Sequence, residues 1–367
     1  MNIGIPVEQR PFEFRVGLPP AGVEILKHYG HTIFVEHDAG VGAGFSDEEF
    51  ERAGARIVYS PEEVFGRADL LLKIARPLKE EIEWLPPGSM IAGLLHLASA
   101  RQDKVDLMLK NKITAIAYEQ IEEADGTTPV KKPLAEIGGR MTAQIAAHYM
   151  QNYKGGKGIL LSGVTGVPPA EIVIIGAGVA GTAASRTFLG LGAHVTVLDM
   201  DLKALQRIDE RFPEVVTLIA TPSNIARTCA FADVVVGAVL VPGERSPIVV
   251  TRVMVQSMKP RSMIIDMSID QGGCVETSRP TTHEHCTYIE ENIIHYCVPN
   301  IPAAVARTAT HAFVNAAMYY ILDLANKDFE TAIRETPALE KAISTHDGKM
   351  MHMHRLNGPV GINDGLD

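Results

Sequence analysis

The sequence predicts an α/β protein built from two doubly wound parallel-sheet domains with a cleft between them. Three observations support this fold class. The chain has 367 residues, more than one small core normally organises. Strand and helix patterns alternate along the N-terminal region and again after about residue 171. Several strands are short, continuous apolar runs, which is typical of parallel strands that are covered on both faces.

The N-terminal elements follow one another in βαβα order. The predicted strands are NIGIPV, HTIFVEH, ARIVYS, ADLLLKI and SMIAGLLHL, and the predicted helices are PPAGVEILKHYG and DEEFERAGA. ADLLLKI places Lys73 on the end of a buried strand. Because side chains alternate along a strand, Lys73 and Ala75 would share one face, and Arg76 would face the other unless Pro77 has already ended the strand.

A predicted helix connects the two domains. PLAEIGGRMTAQIAAHYMQNY has helical composition, although Gly138 and Gly139 weaken it by about 1 kcal/mol each. The later strands are HVTVLDMD, VTLIAT, DVVVGAVL and SMIIDMS, and VARTATHAFVNAAMYYILDLAN is a long helix that we expect to pack back on the first domain. We therefore expect one domain from 1–130 plus 305–367, and the other from 131–304.

Composition excludes several classes of function. A formal net charge of −10 argues against nucleic acid or an anionic membrane as the main partner. No signal peptide pattern opens the chain, and no apolar run reaches the length of a membrane helix. The four cysteines lack CxxC spacing, so reduced thiols in a cytosolic protein are expected. The histidine pairs in THEH and MMHMH do not indicate a metal site, and we expect no metal.

The segment IVIIGAGVAGTAASRTFLGLGAHVTVLDMD carries the strongest local signal. Gly176, Gly178 and Gly181 have GxGxxG spacing directly after a strand and at the start of a helix. This arrangement allows a tight turn, a close approach to a pyrophosphate and close helix–strand packing. Asp199 ends the next strand, where a carboxylate can bind the ribose hydroxyls and repel a 2′-phosphate. The pattern predicts a Rossmann-like domain that binds NAD rather than NADP. Residues 131–304 are therefore the predicted NAD-binding domain, and residues 1–130 plus 305–367 the predicted substrate-binding domain.

A second cluster of polar groups lies in SIDQGGCVETSRPTTHEH, after another apolar strand, and puts Asp270 where a nicotinamide ring would lie. At this point the sequence resembles the alanine dehydrogenase family and its relatives in the proton-translocating transhydrogenase. The matching segments run through nearly the whole chain in order: RVGLPPAGV with Arg15, LLHLASAR with His96, IGAGVAG, GAVLVPG, SIDQGGCVET with Asp270, and HYCVPNIPAAVARTAT with Asn300.

The resemblance implies an NAD-linked dehydrogenase that converts L-alanine, NAD and water to pyruvate, ammonium and NADH. It implies that Arg15 binds the substrate carboxylate, that His96 contacts the oxygen on the reacting carbon, and that Asp270 handles the protons of water and ammonia. An arginine fork pairs well with a carboxylate, and a histidine can give and take a proton near neutral pH. The resemblance also implies a homohexamer, and the reduced thiols expected from the cysteine pattern predict a cytoplasmic location.

The cofactor contacts that we expect lie at the ends of the second-domain strands and in the loops after them: Gly176, Ala177, Gly178, Val179, Ala180, Gly181, Asp199, Thr221, Val239, Leu240, Met267, Ser268, Ile269, Asp270, Arg279, Val298, Asn300 and Ile301. Val239 and Leu240 open the VLVPG segment (239–243), which we interpret as a backbone wall of the site.

One position departs from the family. Alanine dehydrogenases typically read K-V-K-E-P where this chain reads Lys73-Ile74-Ala75-Arg76-Pro77, so Ala75 replaces a lysine that contacts the substrate. Lys73 starts further back but could reach the substrate with its long side chain. Two alternatives to alanine dehydrogenase stay open: a related dehydrogenase with another amino or imino acid, and a non-catalytic NAD(H)-binding module like the soluble transhydrogenase component.

Overall fold

A computed structural model describes residues 1–241 and 244–353, which form two compact units. The first unit contains Met1–Leu134 and the chain from Ala303 onward, and the second unit contains Ala135–Pro302. The predicted domain boundaries lie four and two residues from these limits. The functions assigned to the two domains stay predictions. The last two positions of the VLVPG segment and His354 of MMHMH lie outside the described residues.

The strands follow one another in chain order, and most of them are short. Their bounds are β1 Asn2–Ile5, β2 Thr32–Glu36, β3 Arg56–Val58, β4 Leu70–Leu72, β5 Met90–Gly93, β6 Thr114–Ala117, β7 Glu171–Ile175, β8 His194–Asp199, β9 Val216–Ile219, β10 Val234–Gly237, β11 Met263–Asp266, β12 Thr287–Glu290, β13 Ile293–Tyr296, β14 Ile343–His346 and β15 Lys349–Met350.

The α-helices alternate with these strands. Their bounds are α1 Pro20–His28, α2 Asp47–Arg52, α3 Pro61–Arg67, α4 Lys79–Trp84, α5 Gln102–Lys110, α6 Lys132–Tyr149, α7 Val179–Gly190, α8 Leu202–Arg211, α9 Pro222–Phe231, α10 Arg252–Gln256, α11 Ala306–Asn326 and α12 Phe329–Glu335. No helix among the described residues has both the length and the apolar character needed to cross a membrane.

The sheet of the first unit is parallel over most of its width. Within the described residues its strand order is β15-β14-β6-β5-β4-β1-β2-β3, and β1 to β6 pair in parallel. The C-terminal strand β14 pairs antiparallel with β6, and β15 pairs antiparallel with β14. The prediction of an α/β fold is confirmed, but the sheet is mixed at one edge rather than purely parallel.

The sheet of the second unit has the order expected for a dinucleotide-binding fold. The described strands run β12-β13-β11-β10-β7-β8-β9, and only β12 pairs antiparallel, at one edge. The order reverses between β7 and β10, so the loops that follow these two strands diverge at their carboxyl ends. A crevice at such a reversal is where ligands bind in open α/β sheets.

The strand that was predicted to carry Lys73 ends one residue before it. β4 contains only Leu70, Leu71 and Leu72, which are all buried, and Lys73 already belongs to the following loop. The backbone N–H of Lys73 still donates to Ala92 O, and Ile74 O accepts the Leu94 N–H, so backbone bonding beside β5 continues as far as Ile74. The prediction that Lys73 and Ala75 lie on this strand was therefore wrong, whereas the alternative that the strand ends before Arg76 is confirmed.

The helix α6 forms as predicted, in spite of its two glycines. A Cβ added to Gly139 would lie 2.1 Å from Ala180 O at the start of α7, well inside contact distance. Gly139 is therefore required for the close packing of two helices, and this packing offsets its low helix propensity.

Candidate active site

Four adjacent parallel strands of the first unit end at the same edge of the sheet, and the predicted substrate residues follow them. Arg15 lies in the segment after β1, Lys73 directly after β4, and His96 in the loop after β5. The turn after β6 adds Glu119. Because β6, β5, β4 and β1 are neighbours in the sheet, these loops are brought together by the strand order alone. The structure thus groups Arg15, Lys73 and His96 at one edge.

Arg15 is buried and held by a carboxylate. Its Nε and Nη2 donate to Glu13 Oε1 and Oε2 at 2.7 and 2.5 Å, and the Glu13 carboxylate also accepts the Arg15 backbone N–H. The Arg15 side chain is 3% exposed. A bidentate pair of this kind fixes the plane of the guanidinium. Glu13, which the sequence did not single out, therefore fixes the orientation of the Arg15 guanidinium.

Lys73 is enclosed, and its ammonium is engaged by two glutamates. The Nζ atom lies 2.8 Å from Glu81 Oε1 and 3.2 Å from Glu8 Oε2. Burial alone would lower the pKa of Lys73, but the charges of Glu8 and Glu81 outweigh it, so the net shift is upward and the ammonium stays charged. Burial raises the pKa of Glu8. This arrangement indicates a structural counter-ion, and it does not favour Lys73 as a substrate ligand.

The same two glutamates hold the loop after β4. Glu8 accepts the backbone N–H groups of Ile74 and Ala75, at 2.5 and 3.3 Å. Glu81 accepts the N–H of Leu78 at 2.7 Å, at the start of α4. The charge of the buried lysine in the LLLKIARPL segment thus allows two carboxylates to be buried beside it. These carboxylates can then bind the backbone N–H groups of the loop. These hydrogen bonds fix the position of the half-buried Ala75.

His96 projects from the protein although both neighbours in sequence are buried leucines. Its side chain is 57% exposed, whereas Leu95 and Leu97 are almost fully buried. The His96 backbone N–H donates to Glu119 Oε1 at 2.6 Å, and the ring Nδ1 lies 3.7 Å from the same oxygen. An exposed imidazole beside a carboxylate is suited to proton transfer. A histidine between two leucines is here not a core residue.

The glycine-rich turn of the second unit has the geometry that its spacing predicts. Gly176 has a φ of +114°, and a Cβ on it would lie 2.3 Å from Ala238 O. A Cβ on Gly181 would lie 1.8 Å from Gly176 O, so this position requires glycine for helix–strand packing. A Cβ on Gly178 would contact nothing within 4 Å. The open space beside Gly178 lies at the start of α7, which no side chain caps.

Asp199 is fixed beside this turn. Its Oδ2 accepts the N–H of Ala177 at 2.6 Å, and its Oδ1 accepts the N–H of Asp201 at 2.8 Å. Each carboxylate oxygen has a second acceptor site, so both can still bind a hydroxyl group. The open helix start and the oriented carboxylate fit the pyrophosphate and ribose of a dinucleotide.

Asp270 lies in a loop that is organised by a second, buried aspartate. Asp266 ends β11, is 1% exposed, and accepts the backbone N–H groups of Ser268, Cys274 and Val275 at 3.0, 2.9 and 3.2 Å. Burial raises the pKa of Asp266. The exposed Asp270 accepts the N–H of Asn300 at 3.2 Å. Asp266 therefore shapes the loop, and Asp270 and Asn300 meet as a pair.

The remaining predicted cofactor residues fall into two groups, those with buried side chains and those with exposed side chains. The Ser268 hydroxyl accepts the Val239 N–H at 3.0 Å and donates to Val239 O at 2.8 Å, so it holds the neighbouring loop. Ile269, Val298 and Ile301 have buried side chains and can offer a ligand only their backbone. The positions with exposed or partly exposed side chains are Val179, Ala180, Thr221, Val239, Leu240, Met267 and Arg279.

Two of these exposed residues already have local roles. Thr221 caps α9, with its Oγ1 accepting the Asn224 N–H at 3.2 Å. The Arg279 guanidinium lies over the Tyr288 ring, 4.0 Å from its centroid. Arg15, Lys73 and His96 belong to the first unit, and all the predicted cofactor residues belong to the second unit.

Both halves of the chain match models of one protein family. The alanine dehydrogenase/PNT N-terminal domain matches residues 4–138, and the alanine dehydrogenase/PNT C-terminal domain matches residues 142–353. An alanine dehydrogenase of Methanococcus maripaludis is 45% identical over 354 residues, which cover 96% of this chain and 95% of the relative.

Solved structures give the same result. An L-alanine dehydrogenase superposes with a TM-score of 0.93 at 39% identity, covering 96% of this chain and 97% of the other. A transhydrogenase from Sinorhizobium meliloti superposes with a TM-score of 0.83 at 26% identity, covering 96% and 99%. With both domains matched and a relative at 45% identity over nearly its whole length, this chain belongs to the alanine dehydrogenase/PNT family.

Proposed function

We propose that this protein is an NAD-dependent L-alanine dehydrogenase. It converts L-alanine, NAD⁺ and water to pyruvate, ammonium, NADH and a proton, and it also runs in the reverse direction. The observation that carries the proposal is the 45% identity to an alanine dehydrogenase over nearly the whole of both chains. The geometry at Gly178 and Asp199 supports NAD as the cofactor. The homohexamer and the cytoplasmic location that the resemblance implies stay predictions.

The residues of the first unit bind the substrate and move its protons. Arg15, oriented by Glu13, pairs with the substrate carboxylate, and His96 acts at the reacting carbon. His96 donates a proton to the pyruvate carbonyl oxygen as ammonia adds, and takes a proton back in the oxidative direction. Glu119 holds the histidine in place, since its Oε1 accepts the His96 backbone N–H and lies 3.7 Å from the ring Nδ1.

The residues of the second unit hold the cofactor. NAD⁺ bound in this unit would supply the hydride acceptor for the substrate Cα. Asp199 binds the ribose hydroxyls, and the open turn at Gly178 accommodates the pyrophosphate. Asp270, fixed by the Asn300 N–H, accepts protons from water and ammonium and stabilises the positively charged imine.

The proposed test measures NADH oxidation with ammonium and a panel of 2-oxo acids that includes pyruvate and 2-oxobutyrate. We expect turnover with pyruvate, and a loss of about 10²- to 10⁴-fold in kcat for His96→Ala and for Asp270→Asn. His28→Ala is the matched control, since His28 is an exposed histidine of the first unit. Equal activity of His96→Ala and His28→Ala would contradict the proposed role of His96.

Ala75 supports one alternative, a dehydrogenase with a larger amino acid substrate. Ala75 is half-buried and stands where the family has a lysine, so its small side chain leaves room for a larger substrate. Lys73 does not fill this role, because its ammonium is held by two glutamates. In the same panel, a higher kcat/KM for 2-oxobutyrate than for pyruvate would favour this alternative. A module that binds NADH but converts no 2-oxo acid would instead resemble the transhydrogenase.

A further inference from the structure

The backbone of His96 has a conformation that few residues with a side chain adopt. Its φ and ψ are 44° and 40°, in the left-handed region that favours glycine. Neighbouring Leu95 and Leu97 remain buried on either side, while the imidazole turns outward. Such a conformation persists only when surrounding contacts hold it in place. The contacts that hold the backbone of His96 therefore help to determine the position of its imidazole ring.

Side chains hold both peptide groups of His96. On the amino side, the N–H of His96 donates to Glu119 Oε1 at 2.6 Å. On the carboxyl side, the His96 carbonyl oxygen accepts the Ser99 hydroxyl at 3.0 Å and the Ser99 backbone N–H at 3.2 Å. Because the Ser99 hydroxyl gives its proton to His96, its oxygen remains an acceptor for another donor.

Arg76 is that donor. Its Nη2 donates to Ser99 Oγ at 2.7 Å, and its Nη1 donates to Ser99 O at 3.2 Å. The two bonds bring the planar guanidinium against two atoms of one residue, which fixes the side chain and the backbone of Ser99 together. The carbonyl of Arg76 in turn accepts Arg10 Nε at 3.1 Å. A continuous set of contacts therefore runs from Arg76 through Ser99 to His96.

We propose that Arg76 is a positioning residue for His96 and acts on it through Ser99. The inference rests on the proposed function, because it assigns a support to the histidine of that reaction. It also gives a reason for the K-I-A-R-P segment of this chain. Where alanine dehydrogenases typically have a substrate-contacting lysine, this chain has Ala75, and the cation one residue later supports the histidine instead.

Arg76→Gln and Ser99→Ala test the inference, with Arg334→Gln as the control. Arg334 is an exposed arginine of the first unit that donates to the Thr331 hydroxyl at 3.1 Å. In steady-state assays with pyruvate, ammonium and NADH, we expect kcat to fall about tenfold in both variants, with KM for pyruvate changed by less than about twofold. An unchanged kcat, or a raised KM with unchanged kcat, overturns the inference.

Two further variants separate positioning from charge. Arg76→Lys keeps the positive charge but loses the planar fork, so we expect it to be as slow as Arg76→Gln. If Arg76→Lys has the kcat of the wild-type protein, the planar geometry of Arg76 is not required and the inference is overturned. Because Arg76 and Ser99 act in series, the double variant should be no slower than the slower single variant. Multiplication of the two effects would show that they act independently, and it overturns the inference.

A measurement without substrate separates this inference from the proposed function. Hydrogen–deuterium exchange of the peptide 94–101 in the free protein reads the stability of the turn directly. We expect faster exchange there in Arg76→Gln and Ser99→Ala, and no change in Arg334→Gln. If the wild-type protein converts no 2-oxo acid, the proposed function fails, but the exchange result still decides the support of His96. Unchanged exchange in both variants overturns the inference.

Discussion

The ammonium of Lys73 lies 2.8 Å from the Glu81 carboxylate, and both side chains are at most 2% exposed. Glu8 completes the group at 3.2 Å. Two carboxylates can be buried here because one cation neutralises part of their charge and because both also accept backbone N–H groups. The cluster thereby fixes the loop that carries Ala75 and Arg76.

Lys73→Met should destabilise the first unit strongly. Removal of the cation leaves Glu8 and Glu81 buried without it, and breaking a buried pair in this way typically costs about 3–5 kcal/mol. Urea unfolding followed by fluorescence suits this test, because Trp84 is the single tryptophan and lies in the first unit, on α4. Lys79→Met is the control, since Lys79 is half-exposed. If the free energy of unfolding falls no more in Lys73→Met than in Lys79→Met, the structural role of Lys73 is contradicted.

Ala75→Lys should strengthen the interaction with the substrate. A lysine at this position restores the family cation, and a charge-assisted hydrogen bond contributes about 1.5–3 kcal/mol. We therefore expect kcat/KM for pyruvate to rise by roughly one to two decades. Ala75→Met is the matched control, because it adds similar length without charge. If both variants lose activity equally, the pocket is adapted to a small residue and the missing cation is not what limits turnover.

Asp199→Ser should reduce the preference for NADH over NADPH. The substitution removes the carboxylate that is expected to bind the ribose hydroxyls and to repel a 2′-phosphate. We expect the Kd of NADH to rise by at least about tenfold, while the Kd of NADPH falls. Fluorescence titration of each nucleotide measures both. Asp201→Ser is the control, since Asp201 caps α8 through the Lys203 N–H. If the ratio of the Kd of NADPH to the Kd of NADH is the same in Asp199→Ser and Asp201→Ser, this role for Asp199 is excluded.

His295 should make the second unit less stable in acid. The side chain is fully buried, and burial lowers its pKa below the ordinary value of about 6.5. Between its lowered pKa and the ordinary value, the unfolded chain binds a proton that the folded protein does not bind, so stability falls as the pH falls. Nδ1 faces the Ile293 carbonyl and Nε2 faces the Thr277 hydroxyl, so the neutral ring is satisfied.

The test compares the free energy of unfolding at about pH 7.5 and about pH 5.5, measured by circular dichroism in urea. The acid-induced loss should be smaller in His295→Gln than in the wild-type protein. His194→Gln is the control, because the His194 side chain is exposed. An equal loss in wild type and His295→Gln would show that another group is responsible.

Much of the fold could be predicted because local patterns agree with the tertiary structure. The β7–α7–β8 segment is specified by an apolar run, a glycine turn and a following acidic residue, and all three occur at their predicted places. The strands β12 and β13 were missed because both are only four residues long; β12 lies at the sheet edge, and β13 lies between β12 and β11. The strand β14 was missed because its partner, β6, lies more than 200 residues earlier in the chain.

The candidate site could be predicted in part. His96 was found from its motif, although its two leucine neighbours alone indicate a core position. Glu8 and Glu119 could not be found, because each acts on backbone groups that lie far from it in sequence. The pairing of Arg15 with Glu13, two residues away, was present in the sequence as a charge pattern, but many such pairs are solvent-exposed.

The transfer of hydride to a substrate carbon is tested most directly with NADH that carries deuterium at both positions of the nicotinamide C4. After incubation with pyruvate and ammonium, mass spectrometry of the product should show L-alanine with one deuterium at Cα. His96→Ala should form this product far more slowly, while it binds NADH as the wild-type protein does. Binding of the labelled NADH without any deuterium in alanine or another amino acid would contradict the dehydrogenase assignment.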